Sequence, residues 1–320
     1  MQPPSSFTDP SSVLIVCGPT AIGKTAVAMA VQDALGGADK VQLISADSAQ
    51  IYRGMDIGTA KPSPQELLAY PHKLVDIRDP LQSYSAAEFV ADADAAIQAA
   101  LEAQKKPVVV GGTMMYLKCL IEGIADLPST DDAMRDSLAR ELEQRGGDAL
   151  HAELAELDPQ AAANIHPNNH QRLLRALAVI RVTGGSLTGQ WQQQASGTLS
   201  QRLGVDHRTM IMMPADRTVL HQRIVTRFSA MLSDGFLAEV EGLMQRGDLH
   251  PELPSMRAVG YRQAWRHLNG EIDAPTFLQQ GVAATRQLAK RQLTWLRKWP
   301  DASVVISDNA DDAAAKLLLN

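Results

Sequence analysis

The amino-acid sequence predicts an α/β protein, a parallel sheet interleaved with helices and interrupted by a helical insertion. Short apolar runs ending in glycine or aspartate alternate with helical stretches over the first 112 residues. A phosphate-loop pattern, Gly18 to Thr25, lies between the first run and the helix after it. From about residue 130 to 195 the strand signals stop and helical periodicity alone continues. Together these describe a P-loop NTPase-like parallel sheet core with an α-helical insertion domain.

The elements follow in order. Residues 1–12, polar and rich in Ser and Pro, read as a disordered tail. Val13 to Gly18 is a continuous apolar run, as a strand buried on both faces requires. A helix follows from Gly23 to about Leu35, then a second strand from Val41 to Asp47, with Lys73 to Arg78 as the third. Ser85 to Gln104 is Ala-rich and helical, and Pro107 to Gly112 is another buried strand. Gln171 to Val182 is the clearest helix of the insertion. Met210 to Met213 returns to the sheet pattern, followed by one long helix over Arg217–Arg246. A last helix spans Pro275–Arg297 and a last strand Ala302–Ser307. The division expected is a first core segment at 13–125, the insertion at 126–200, and core completion with basic C-terminal helices at 201–320.

Composition bounds the function. With 45% hydrophobic and 21% charged residues, the chain is neither disordered nor fibrous. No apolar stretch reaches the roughly 20 residues that span a bilayer, and the start lacks the pattern of a secretory signal. Two cysteines, Cys17 and Cys119, cannot build a disulfide framework or a four-ligand zinc site. A cytoplasmic, membrane-free protein, acting as a monomer, is expected. The net charge of −6 argues against a bulk polyanion binder. Residues 257–300, however, carry eight Lys/Arg and two acids, so a basic segment sits on an acidic body. That segment suits either a polyanion contact or an ordinary solvated helix face.

The loop residues Gly18, Pro19, Thr20, Ala21, Ile22, Gly23, Lys24 and Thr25 fit G-x-x-x-x-G-K-[ST] without mismatch. Glycines let the backbone close on phosphate oxygens, and successive N–H groups at a helix N-terminus form an anion nest. Lys24 adds a point charge, and the Thr25 hydroxyl suits a Mg²⁺ ligand. An ATP-hydrolysing enzyme usually adds an acid at a later strand end. The strand Pro107–Gly112 runs instead into Gly111-Gly112-Thr113, with no carboxylate.

Beyond the loop, several blocks are similar to those of the bacterial tRNA dimethylallyltransferases (tRNA isopentenyltransferases). They are Gly18–Thr25, Ser45–Pro62 (SADSAQIYRGMDIGTAKP), Tyr84–Phe89 and Gly111–Tyr116. Then come Ile165-His-Pro-Asn with Gln171–Arg175, Arg257–Arg262 (RAVGYR) and Lys290–Arg297 (KRQLTWLR). They occur in family order over about residues 12 to 300. The chain departs from the family at Asn169, often Asp, and at Ala178, often Glu.

The resemblance implies transfer of a dimethylallyl group from dimethylallyl diphosphate to N6 of adenosine 37, 3′ of the anticodon in tRNA. Mg²⁺ is the expected cofactor and the tRNA anticodon stem-loop the expected partner. Asp47, at a strand's carboxyl end where ligands gather in open sheets, is by resemblance the catalytic base. A helix cap or a metal ligand is its structural alternative. Arg223 is the arginine expected on the departing diphosphate, with Arg227 four residues on as the alternative. Ser48, Ala49 and Gln50 beside Asp47, with Thr113, would meet the flipped base, unless they only cap turns. Arg135, Gln171, Arg172, Arg175, Arg257 and Arg262 complete the expected tRNA contacts with Lys290, Arg291 and Arg297. At 100° per residue, Arg286, Lys290 and Arg297 fall within about 40° of one another, while Val282, Leu288, Leu293, Trp295 and Leu296 occupy roughly 180–340° from Arg286. His166 and His170 read as capping or core residues rather than a metal pair. A P-loop small-molecule kinase, an isopentenyltransferase for free adenine nucleotides and a non-enzymatic RNA-binding protein are the rival readings.

Overall fold

A strand covered on both faces needs apolar side chains throughout, and β1 (Val13–Cys17) is buried along its whole length. The computed structural model describes residues 9, 11–124, 132–189, 197–300, 302–306, 313 and 316. With β2 (Val41–Ala46), β3 (His72–Lys73), β4 (Lys106–Gly111), β5 (His207–Met213) and β6 (Ala302–Ile306), β1 forms one sheet of order β3-β2-β4-β1-β5-β6. Every pairing is parallel. Ile15 lies level with Val109 on β4 and Thr209 on β5, so the central strands are held from both sides.

The helices are α1 (Lys24–Ala34), α2 (Pro64–Ala69), α3 (Ala86–Glu102), α4 (Met114–Glu122), α5 (Asp132–Leu157) and α6 (Pro159–Asn164). They continue as α7 (His170–Thr183), α8 (Leu199–Leu203), α9 (Arg217–Ser233), α10 (Phe236–Gln245), α11 (Tyr261–Leu268) and α12 (Ala274–Leu296). Leu14, Val16, Val108, Val110, Met210 and Met212 share one face of the sheet and one core with Val27 and Val31 of α1, Phe228 of α9 and Phe277 of α12. α3 begins at a capping box, Ser85 with Glu88, which is worth about 1 kcal/mol. Its Phe89 ring stacks on Tyr116 of α4 at 4.5 Å between centroids.

Two units are distinguishable by contact, Met1–Ile121 with Leu199–Asn320, and Glu122–Thr198. The second contains no strand among its described residues. Its core is Leu138, Leu150, Leu154, Leu173 and Leu177 with their neighbours, and Ala178 is buried in it. α5 bends at Gly146 (φ 78°, ψ 163°). Arg181 of α7 spans the bend, bonding Glu141 before it at 2.6 Å and Glu153 after it at 2.8 Å. Asn169 caps α7 by accepting the Arg172 N–H. His166 accepts the Asn168 N–H, and among the described residues no group of His, Cys, Asp and Glu could hold a metal.

Two elements differ from the sequence expectation. The third strand is only His72–Lys73, because Leu74 and Asp76 take φ of 63° and 57°, which ends the extended run. A single parallel bridge between Tyr52 and Arg78 remains of it. The long helix read over Arg217–Arg246 is two, α9 and α10, divided at Gly235 with φ 99°. α2, α4 and α11 were not anticipated. Most of the expected tail (1–8 and 10), Ser307, the start of the expected insertion (126–131) and its stretch 190–196 lie outside the described residues.

The loop after β2 is clamped from the far side of the chain. Glu239 of α10 accepts the N–H groups of Asp56 at 2.8 Å, Ile57 at 2.6 Å and Gly58 at 3.1 Å. It also accepts the Tyr261 hydroxyl at 2.6 Å. Burial and that carboxylate push the Tyr261 phenol well above its ordinary range. A Cβ on Gly58 would stand 2.2 Å from the Phe236 ring, so the turn can approach only as glycine. Lys61, its side chain only 2% exposed, donates to Tyr52 O, Asp56 and Asp76. We expect Glu239→Gln, which sets an NH₂ group against N–H donors, to cost about 1–3 kcal/mol, read as a lower urea midpoint. An unchanged midpoint would show that the turn is held without it.

Candidate active site

The loops that follow β1, β2 and β4 meet at one edge of the sheet, where all three strands end. After β1, Gly18 turns the chain tightly, since a Cβ there would lie 3.0 Å from both Ile22 and Met212 O. Ala21 adopts φ 63° and Gly23 φ 98°. The first is a left-handed alanine, costing about 1–2 kcal/mol, and it curls the backbone into a nest ahead of α1. Lys24 Nζ donates to Pro19 O at 2.9 Å and so bridges its own loop. Burial brings Lys24 down to about 8, against the raising influence of Asp47 and with a further lowering from Arg227.

Asp47 stands directly after β2. Its Oδ1 accepts the N–H groups of Ala49 at 2.9 Å and Gln50 at 3.4 Å, so the carboxylate caps its own turn. Asp47 lines the cleft, and its charge raises both Lys24 and Arg227 against their burial. Ser48 N–H donates to Thr113 Oγ1 at 3.0 Å, and that hydroxyl donates on to Ser48 Oγ at 3.2 Å. The β2 and β4 loops are thereby tied together. Gln50 spends its amide within the fold, donating to Ala60 O at 3.2 Å and accepting from Ser45 at 3.3 Å.

A cleft of about 750 Å³ opens between these loops and the helices α9 and α12. Thr20, Ala21, Gly23, Lys24, Thr25, Asp47, Ser48, Ala49, Gln50 and Thr113 line it, with Arg257 and Arg291 at its rim. Its apolar wall includes Met29, Met115, Ile224, Phe228, Leu288 and Trp295. The acids among its lining residues are Asp47 and Glu66, and Glu66 is engaged in capping α2. Thr25 and Asp47 are among the lining side chains that could offer oxygen to a Mg²⁺ ion held mainly by ligand oxygens and water. Gly111 and Gly112 close the β4 end. A Cβ on Gly111 would lie 2.1 Å from Ala46 O, so no acidic side chain can stand there.

Not every expected residue arrives at this place. Arg223 is not among the lining residues, whereas Arg227 is, half-buried and held below its ordinary value by burial. One turn further along α9 than Arg223, Arg227 is the one of the two that lines the cleft. Pro19 and the buried Ile22 support the loop from behind. Arg262, Lys290 and Arg297 lie on exposed surface away from the cleft lining. Gln171, Arg172, Arg175 and Arg135 are exposed on the helical unit, where partial burial and then the charge of Arg135 hold Arg175 below its ordinary value. Sequence reasoning missed Glu239, Lys61 and Gln292. Gln292 lies inside a block quoted for the resemblance, but an uncharged amide carries no signal of its own.

The comparisons with known proteins agree with this geometry. A model of the IPP transferase family matches residues 50–299. The tRNA dimethylallyltransferase of Chromohalobacter salexigens is 53% identical over 306 residues, covering 96% of this chain and 95% of the relative. The crystal structure of the tRNA isopentenylpyrophosphate transferase of Bacillus halodurans is similar with a TM-score of 0.68 at 32% identity, covering 97% and 95% of the two chains. A eukaryotic dimethylallyltransferase acting on tRNA is similar with a TM-score of 0.74 at 25% identity, over 92% of this chain and 74% of that one. With a family match across most of its length and a close relative along nearly all of it, the chain belongs to the IPP transferase family.

Proposed function

We propose that this chain transfers the dimethylallyl group of dimethylallyl diphosphate to N6 of adenosine 37 in the tRNA anticodon loop. The observation that carries the reading is the cleft itself, in which a phosphate nest with Lys24 and Arg227 faces the carboxylate of Asp47 across one space. The nest and the two cations would bind the diphosphate and stabilise its growing charge as the C1–O bond breaks. N6 attacks C1, and the proton it sheds passes to Asp47, whose position is fixed by the Ala49 and Gln50 amides. Mg²⁺, held by Thr25 with substrate oxygens, would add charge neutralisation on the diphosphate. The apolar wall suits a five-carbon isoprenyl chain.

An adenosine inside a folded loop must be extruded to reach this cleft. Ser48, Ala49, Gln50 and Thr113 would meet the flipped base at the β2 and β4 loops. Arg257 and Arg291 at the rim would hold the adjoining phosphates. The exposed cations Arg262, Lys290 and Arg297, and on the helical unit Arg135, Gln171, Arg172 and Arg175, would track the anticodon stem-loop. We infer a cytoplasmic monomer. Among the described residues no helix is long and apolar enough to cross a membrane.

Reaction of unmodified tRNA with dimethylallyl diphosphate should add one C₅H₈ unit, seen by mass spectrometry of the nucleosides. A phosphorylated small molecule formed from ATP would favour a kinase instead. Asp47→Asn retains the turn cap but not the base, and should slow single-turnover transfer on the order of 10²–10⁴-fold. Near wild-type transfer would mean that the proton leaves by another route. Arg227→Ala should lower transfer on the order of 10²–10³-fold. Arg223→Ala, one turn outside the cleft, should cost less, and the reverse ranking would return the role to Arg223.

The lowered Lys24 ammonium predicts a pH dependence of diphosphate affinity. Lys24 is charged below about pH 8 and loses its proton above it. Affinity for dimethylallyl diphosphate is therefore full below that pH and falls as pH rises through it. In Lys24→Arg the fall should move to higher pH, because a guanidinium stays protonated. Titration calorimetry between pH 7 and 10, at about 0.1 M salt, checks this; a flat profile for the wild type would contradict it.

A further inference from the structure

One buried side chain joins the basic C-terminal helix to the phosphate loop. Gln292 of α12 accepts the Thr20 N–H on its Oε1 at 2.8 Å and donates from Nε2 to Gly112 O at 2.8 Å. The link is close-packed. A Cβ on Gly112 would lie 2.7 Å from Gln292 Nε2 and 3.3 Å from Lys24 Nζ, so glycine is what lets amide and ammonium share that corner. Gln292 is also the residue between Arg291, at the cleft rim, and Leu293, in the core.

The loop needs an external tether. Ala21 sits in a left-handed conformation that an alanine leaves readily when nothing holds it. Two bonds reach the segment just before it. One is the loop's own, from Lys24 to Pro19 O. The other is from Gln292 to the amide of Thr20, the residue preceding the strained one. Because the amide is anchored at its other end to the β4 terminus, it fixes the loop against the sheet rather than against a mobile partner.

We propose that Gln292 is a positioning residue for the diphosphate, holding the phosphate loop in its anion-binding shape before any ligand arrives. The role follows from the two halves of one amide. A carbonyl is needed for the Thr20 N–H and an NH₂ for the Gly112 carbonyl, and among side chains of this length only glutamine offers both. Its effect is expected on the diphosphate side of the reaction, since Gln292 bonds the loop directly, whereas the exposed Lys290 of α12 is not among the cleft-lining residues. The inference rests on the reading of the loop as a diphosphate site.

The test compares the wild type with Gln292→Leu and Gln292→Glu, using inorganic diphosphate as the binding probe and steady-state transfer to tRNA. Leucine keeps the volume and removes both bonds. It should raise the Kd for inorganic diphosphate and the KM for dimethylallyl diphosphate about tenfold. The KM for tRNA and kcat at saturating substrates should stay within about twofold. Glutamate keeps an acceptor for Thr20 but turns an oxygen toward Gly112 O and sets a negative charge beside the nest, so its diphosphate Kd should exceed that of leucine. Unchanged diphosphate binding in both variants would overturn the inference, as would an equal loss of diphosphate and tRNA affinity. Failure of the wild type to bind diphosphate at all would instead defeat the functional reading on which it rests.

Discussion

A parallel sheet delivers the carboxyl ends of its strands to a single edge, and every polar group of the cleft depends on that convergence. β1 supplies the phosphate nest, β2 the carboxylate of Asp47, and β4 the paired glycines and Thr113. The approach is close enough to exclude side chains. The space a Cβ of Gly111 would need is filled by the Ala46 carbonyl. No acidic side chain of the kind a nucleotide-hydrolysing enzyme carries at a strand end can stand at Gly111.

Within the cleft the electrostatics are deliberately unbalanced. Lys24 and Arg227 are both drawn below their ordinary values by desolvation, and the charge of Asp47 opposes this at each. Two poorly hydrated cations sharing one carboxylate destabilise the empty site. Asp47 is held by backbone amides through one oxygen, which leaves its orientation independent of the cations.

Support for this arrangement comes from residues distant in the chain. Glu239 gathers three successive amides of the β2 loop, Lys61 is sunk among two carboxylates and a carbonyl, and Gln292 crosses from the last long helix. α12 therefore presents two different faces. Its exposed face carries Arg286, Lys290 and Arg297, while its inner face sets Leu288, Gln292 and Trp295 on the cleft and Leu293 and Leu296 in the core.

By itself the sequence determined the parallel core, because strands such as Val13–Cys17 and the Val108–Val110 run are apolar at every position, and only a doubly covered sheet accepts that. It also determined the phosphate loop, whose glycines, lysine and threonine are contiguous, and the placement of Asp47, which follows directly from being the residue after a strand. What it could not decide depended on contacts across hundreds of residues or on single backbone dihedrals. The third strand stopped at Lys73 because Leu74 turns to positive φ, and nothing in the apolar pattern of Lys73–Arg78 reports that. One long helix became two at Gly235, a lone glycine that helical periodicity passes over. Which of Arg223 and Arg227, a turn apart on one face, lines the cleft depended on where α9 meets the loop. Gln292 and Glu239 stayed invisible for the same reason: the partners of a hydrogen bond, 272 residues away for Thr20, are fixed by tertiary packing and leave no local trace in the chain.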